Sequence, residues 1–399
     1  MPKANAPGRN GGYPAKIWAD TEAIIERVRT DGDAALLDCT RKLDGQTLTA
    51  RQMQVSMARC QRAWRAIAPE LRQASRLSAM RIRKFNEKIR PKDARWSDGF
   101  VQFQWRWTPI ETVGVYVPGG TAAYPSSVLM ACIPAKVAGS RVTVCTPPKP
   151  KAVVLAACAL AGVDAVFQIG GAQAIAAMTY GTQTVPKVDK IVGPGGAFVD
   201  AAKRLCAKDV AIDFPAGPSE LVAVAGSDAD VEQVAADLVA QAEHDVRAKV
   251  GLLALDEGTK EAVKEAVNKK GKNAKRSTIL KQSLSKAFFQ VVSAKEAPTQ
   301  LNSDAFEHVA LYGKASALAD KIRNAGAIYV DTPPALGDYA LGSNHVLPTG
   351  GFARSAGMLS VFDFLKPVVT IRRTQTGLEK TAQALARSEG LWAHAESLQ

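Results

Sequence analysis

The sequence predicts an α/β protein with a mainly helical N-terminal region, two units built on parallel sheets, and a helical C-terminal tail. Three observations carry this. Helical periodicity with few breakers runs through 17–37 and 51–90, then gives way near residue 110 to short β-branched runs. From there strand and helix alternate at the spacing of βαβ units, which favours a mostly parallel sheet with helices on both faces. The alternation resumes near Leu221, so a second α/β unit follows the first.

In chain order, Asp31 and Asp33 with a Gly between them mark a turn in the first helical stretch. The run from Glu111 ends in the Gly-rich turn Pro118-Gly-Gly120, and a helix is expected from Ser126 to Gly139. A strand over 141–145, a helix over 151–161, a strand over 165–169, a helix over 171–178 and a strand over 190–192 complete the first unit. The second unit reads as strand 221–225, helix 231–242, strand 249–254, helix 259–270, a charged loop over 270–275 and a later strand over 327–330. Residues 361–371 read as extended or irregular, because Pro367 excludes a regular helix there. An amphipathic helix over 376–396 ends the chain.

A chain of 399 residues exceeds the size at which one core usually stops growing, so two or more domains are expected. Apolar content of 47% with 22% charged residues describes a globular protein and excludes a disordered one. The polar, Gly/Pro-rich start has no apolar run, so no secretory signal is expected. No apolar stretch is long enough to suggest a membrane span. Cys39, Cys60, Cys132, Cys145, Cys158 and Cys206 lack metal-site spacing and read as buried thiols of a cytoplasmic protein. The net charge of +13 comes largely from residues 51–100, where thirteen Lys/Arg against four Asp/Glu leave +9. No nucleic-acid motif accompanies them. The spacing of Arg59, Arg62, Arg65, Arg72 and Arg76 instead suits the solvent or subunit-contact face of long helices.

Two groups of residues carry chemistry. The turns Pro118-Gly-Gly120, Ile169-Gly-Gly-Ala-Gln173 and Gly193-Pro-Gly-Gly196 each follow a strand, where glycine allows backbone to approach a phosphate and the next helix favours an anion. None matches a standard nucleotide fingerprint, so plain turn chemistry stays open, as does core packing for Tyr116 and loop capping for Gln173. The four histidines, His244, His308, His345 and His394, all lie near acidic or amide residues. Gln241 and His244 share a helix face, and Asp338 occupies a Gly-flanked loop. Such nitrogen and oxygen donors suit zinc, although satisfied structural histidines remain an alternative.

Over about residues 20–396 the chain resembles the histidinol dehydrogenase family, through VGVYVPGGTAAYPSSVLM, IGGAQAIAAMTYGT, VPKVDKIVGPGG, AGPSE, QAEHD, the Glu307-His308 pair, GDYALGSNHVLPTGGFAR, LSVFDF and EGLWAH. The resemblance implies two Rossmann-like units with parallel sheets, a helical N-terminal region and a C-terminal helical tail contributing to a dimeric site. The corresponding regions are 1–115, packing with the second unit; 116–219, binding cofactor; 220–362, carrying metal and catalytic residues; and 363–399, a dimerisation tail. It implies NAD-dependent four-electron oxidation of L-histidinol through L-histidinal to L-histidine, the end of histidine biosynthesis, by a homodimer with one zinc ion per subunit. On this resemblance Gln241, His244 and Asp338 look like zinc ligands, with His394 supplied by the partner's tail. Glu307 and His308 look like the proton-transfer pair, and Tyr116, Gln173 and Gly196 fall at cofactor contacts. Ser219, His345 and Glu389 fall in the substrate pocket with His308 and the metal ligands, and neither nucleic acid nor membrane is implied as a partner.

The chain departs from that pattern in places. The family's GPGN loop ends here in Gly196, which removes a side-chain hydrogen bond worth about 0.5–1.5 kcal/mol to cofactor binding. Ala-Pro before the Glu-His pair is Ala305-Phe306, and Thr-Pro-Glu before the Asp loop is Thr332-Pro-Pro-Ala335. Asn86 stands where an Asn-Ile-x-x-Phe-His pattern is common, and the segment after Gly196 is a few residues short. These changes allow a paralogue acting on another small primary alcohol, such as a sulfonated diol. A structural or nucleic-acid-binding protein would not need the intact polar constellation.

Overall fold

A computed structural model describes residues 13–119, 123–214, 217–272 and 274–398. Gly120, in the first of the three glycine turns, lies outside the described residues. The first sheet orders its strands Gln54–Val55, Ala165–Phe167, Arg141–Cys145, Thr112–Tyr116, Lys190–Val192, Ala211–Ile212. Only the short Gln54–Val55 strand runs antiparallel to its neighbour. The second sheet is parallel throughout, in the order Phe288–Val291, Lys249–Ala254, Glu220–Ala225, His308–Tyr312, Ala327–Val330. Setting the antiparallel edge aside, both sheets follow one rule. The first strand lies in the middle, the second and third go to one side, and the fourth and fifth to the other.

Burial explains why these segments became strands. Glu220–Ala225 and His308–Tyr312 are buried at every residue, as expected for central parallel strands covered on both faces. Alternate residues serve opposite cores: Leu221, Ala223 and Ala225 enter one cluster, Val222 and Val224 the other. Helix Val231–Ala242 is started by Asp230, whose carboxylate accepts from the N–H groups of Glu232 and Gln233. Its buried stripe of Val234, Leu238 and Gln241 then points Gln241 inward at the last turn. All six cysteines are free and buried.

Several elements differ from the sequence reading. The N-terminal region packs mainly on the first unit, not on 220–362. Ile25, Val28, Ala35 and Leu36 share a core with Tyr116 and Ile169, while Cys60, Ala79 and Ile82 join Val113 and Val128. The physical cause is apolar matching, since these helices cover the outer helices of the first sheet. Helix Pro69–Ile89 additionally reaches the 341–361 loop. There the Arg81 guanidinium donates to Leu341 O, and buried Asn86 accepts from Val361 N–H. A boundary at 115/116 would cut through the strand Thr112–Tyr116.

The N-terminal region also holds a β-hairpin, Ala94–Ser97 with Val101–Pro109, to which Leu365–Arg373 adds a third antiparallel strand. Pro367 is tolerated because this is an edge strand. The charged segment after 270 stays helical to Lys272. The tail is two helices, Glu379–Ser388 and Trp392–Glu396, broken at Gly390 in a left-handed conformation.

Gly251, beside the edge strand of the second sheet, tests the tightness of this packing. A Cβ there would lie 2.1 Å from the ring of Phe288. Gly251→Ala is therefore expected to destabilise the fold by about 1–3 kcal/mol through overpacking. The midpoint of denaturant unfolding should fall with its slope unchanged.

Candidate active site

The Glu307–His308 pair sits at the entry of a central strand. His308 opens the strand His308–Tyr312 and Glu307 immediately precedes it, beside the start of Glu220–Ala225. The backbone N–H of Glu220 donates to the Glu307 carboxylate at 2.7 Å. The carbonyl of the same residue lies 3.0 Å from His308 Nδ1. A carbonyl can only accept, so Nδ1 carries the proton and the opposite nitrogen is left for chemistry. That nitrogen, Nε2, is buried, has no hydrogen-bond partner and lies 3.8 Å from Asp338 Oδ1. The imidazole stacks on Tyr329 at 5.8 Å. Burial pulls the His308 imidazole down, but Glu307 and Asp338 outweigh it and push it up to about 10.

Asp338 belongs to the short helix Pro334–Tyr339, which packs against Val231–Ala242. Gly337 allows that helix to approach, because a Cβ there would meet the Tyr329 hydroxyl at 2.4 Å. Burial raises the Asp338 carboxyl, yet His308, His345 and His244 hold it below the usual range. The Asp338 carbonyl lies 3.0 Å from Nδ1 of His345, whose own pKa burial lowers. His244 follows the helix bearing Gln241, and its Nδ1 lies 3.1 Å from Ala240 O, freeing Nε2 as a ligand.

His244, His308, Asp338 and His345 thus share one corner, with Gln241 on the adjoining helix. An amide oxygen, an imidazole and a carboxylate there fit a borderline divalent cation such as zinc, and the unpartnered His308 nitrogen faces the same carboxylate. Among the described residues, no three His, Cys, Asp or Glu side chains are grouped to hold a metal within one chain. Glu389 and His394 do not join the corner. Both are exposed on the tail, whose two helices pack on each other. Ser219 is half-buried just before Glu220, where its carbonyl accepts from Lys249 N–H.

The glycine turns gather at the opposite kind of edge, the C-terminal ends of the first sheet's strands. Tyr116 and Gln173 are both buried. The Tyr116 hydroxyl accepts from Gly171 N–H at 3.1 Å, and the Gln173 amide donates to Asp44 at 3.4 Å. The Gln173 carbonyl oxygen is buried without a partner. Gly193, with φ +117°, passes so close to Tyr116 that a Cβ would lie 2.2 Å from its carbonyl oxygen. Gly196 is extended backbone at the N-cap of helix Ala197–Cys206, and a Cβ there meets open space.

A family model described as histidinol dehydrogenase matches residues 9–399. The chain belongs to the histidinol dehydrogenase family. It is 45% identical to the histidinol dehydrogenase of Rhodopseudomonas palustris over 402 aligned positions, covering 96% of this chain and 92% of that one. The histidinol dehydrogenase of Natronomonas pharaonis is 44% identical, with 94% and 91% covered. The crystal structure of histidinol dehydrogenase from Elizabethkingia anophelis superposes with a TM-score of 0.91 at 33% identity, covering 97% and 95%.

Within this histidinol dehydrogenase-type fold, three contributors escape a reading by motif. Glu220 works through its backbone, although the Pro218-Ser219-Glu220 run stood in a matching stretch. Tyr329 supports His308 from a four-residue strand. Asp44 supports Gln173 from a helix end more than a hundred residues earlier.

The charge balance around His308 can be read in metal-free protein. Its folded pKa, about 10, lies above the ordinary 6.5. Protonated His308 therefore stabilises the metal-free fold fully below about 6.5, and this contribution is lost as pH rises through about 10. NMR titration of the imidazole should find it protonated at neutral pH, and Asp338→Asn should lower its titration midpoint. A midpoint unmoved by that substitution would refute the assigned cause.

Proposed function

We propose that this chain oxidises L-histidinol through L-histidinal to L-histidine, consuming two NAD and one water and releasing two NADH and three protons. The observation that carries the reading is the buried Glu307–His308 pair facing Asp338 beside Gln241 and His244, within a family whose model spans nearly the whole chain. The high identity to relatives named for histidinol over almost their full length does not favour the sulfonated-diol alternative.

Gln241, His244 and Asp338 would hold zinc, with His394 of a second copy's tail as the fourth ligand. Bound there, zinc would supply a template for the amine and imidazole nitrogens of the substrate. The glycine turns near Tyr116, Gln173 and Gly196 would hold NAD, which would supply the hydride acceptor. A cation held by Asp338 would weaken that carboxylate's support for the His308 proton and leave the imidazole as the base. His308 then takes the hydroxyl proton in the first oxidation. Glu307 takes a proton from the water that adds to the aldehyde, and His308 serves again in the second oxidation. Ser219 and His345 would line the substrate, with Glu389 supplied by the second copy's tail. In this division the first parallel-sheet unit handles cofactor, the second handles acid–base chemistry, and the C-terminal tail closes the neighbour's site in a cytoplasmic homodimer. Among the described residues no helix is long and apolar enough to cross a membrane.

The test is NADH formation from L-histidinol before and after chelation. Two NADH per substrate, loss on chelation and return with zinc are expected. His308→Ala should lower kcat about 10²–10⁴-fold. Truncation after Ser388 should abolish turnover, and a fully active truncate would remove the tail from the site. No turnover in folded, zinc-loaded protein at saturating NAD would overturn the substrate assignment.

Gly196 offers a separate check. Because its Cβ position is open, Gly196→Asn should be accommodated and should lower the KM for NAD about two- to tenfold through one added hydrogen bond. An unchanged KM would mean that the loop needs no such side chain here.

A further inference from the structure

The turn Gly193–Gly196 is gripped by a buried ion pair that the reaction itself does not use. The side chains of Lys203 and Asp213 are each only 2% exposed and form a salt bridge. Asp213 Oδ2 accepts from the Gly193 N–H at 2.8 Å, and Lys203 Nζ donates to the Gly193 carbonyl at 3.0 Å. Both polar groups of a single glycine are thus held by full charges. The two partners come from different directions. Lys203 lies on helix Ala197–Cys206, which the turn itself opens, and Asp213 follows the edge strand Ala211–Ile212. A second pair lies alongside, where Lys190 Nζ donates to Asp363 O at 2.7 Å and sits 3.8 Å from its carboxylate.

Such an arrangement is a poor way to gain stability. Removing two charges from water offsets most of their attraction, and a well-packed apolar pair often serves the fold equally well. What an apolar pair cannot do is fix a peptide plane. Gly193 is the point where the chain leaves the sheet, grazes Tyr116 and turns into the helix whose N-terminus faces any bound anion. A small rotation of its peptide would displace Pro194 through Gly196 together.

We propose that Lys203 and Asp213 are positioning residues for cofactor binding, clamping Gly193 so that the turn is preformed for the diphosphate of the dinucleotide. This rests on the reading above that NAD occupies these turns. The clamp lowers the ordering cost of binding and takes no part in proton or hydride transfer, so its loss falls on cofactor KM.

The double substitution Lys203→Met with Asp213→Leu removes both hydrogen bonds to Gly193 without leaving a buried unpaired charge. The Kd for NAD from equilibrium titration without substrate should rise about tenfold or more, and KM for NAD with it, while kcat at saturating NAD stays within about threefold of wild type. An unchanged KM in the folded variant overturns the clamp, as does a fall in kcat at unchanged KM. If the double variant does not fold, Lys203→Met with Asp213→Asn decides, since it leaves no buried unpaired charge, keeps an acceptor for the Gly193 N–H and removes the donor to the Gly193 carbonyl. A raised KM with retained kcat supports the clamp, and an unchanged KM refutes it. Wild type without saturable NAD dependence would overturn the underlying cofactor reading instead, whereas saturable wild type beside an unaffected variant would remove the clamp alone.

Discussion

The candidate site depends on the parallel pairing of Glu220–Ala225 with His308–Tyr312. That ladder brings one peptide, at Glu220, beside both Glu307 and His308: its N–H holds Glu307 and its carbonyl sets the His308 tautomer. The strands are buried throughout, so their register is set by the same core packing that stabilises the sheet. The geometry of the candidate site and core packing are here one constraint. The Glu220 side chain adds to it, accepting from Lys249 at 2.9 Å and from Gly350 N–H at 3.3 Å, which ties the 345–350 loop to the same strand entry.

The two halves share a strand order but use it differently. The first sheet presents its glycine turns at the C-terminal ends of its strands, the usual location for ligands in open α/β sheets. The second sheet places Glu307 and His308 at the N-terminal ends of its strands and uses side chains and one backbone peptide there instead. Fold symmetry therefore does not predict chemical symmetry.

Much of this was legible from the chain. Central strands such as 221–225 and 141–145 announce themselves as apolar β-branched runs, and the breaks at Gly and Pro locate their ends. The hairpin strand Val101–Pro109 was also legible in principle, since Gln102, Gln104 and Arg106 alternate with Phe103, Trp105 and Trp107 at period two. It was obscured by the strongly helical, basic sequence on its N-terminal side. The bracket at Glu220 was not legible, because backbone groups leave no mark on residue identity. Lys203 and Asp213 were hidden for the opposite reason. Charged residues near a helix end resemble solvated surface until the fold shows them buried. The residues gathered around Asp338 could be named from motifs, but the direction of N-terminal packing could not, because apolar stripes do not specify which partner they cover.

The tail leaves Leu385, Leu391 and Trp392 exposed on or beside two helices that pack on each other. Once a second copy covers that surface, as in the proposed dimer, protomer concentration becomes a thermodynamic variable. Dilution would then weaken fold and catalysis together, and a Tm measured at one concentration would not transfer to another. Thermal stability of this enzyme is in that sense a property of the solution as well as of the sequence.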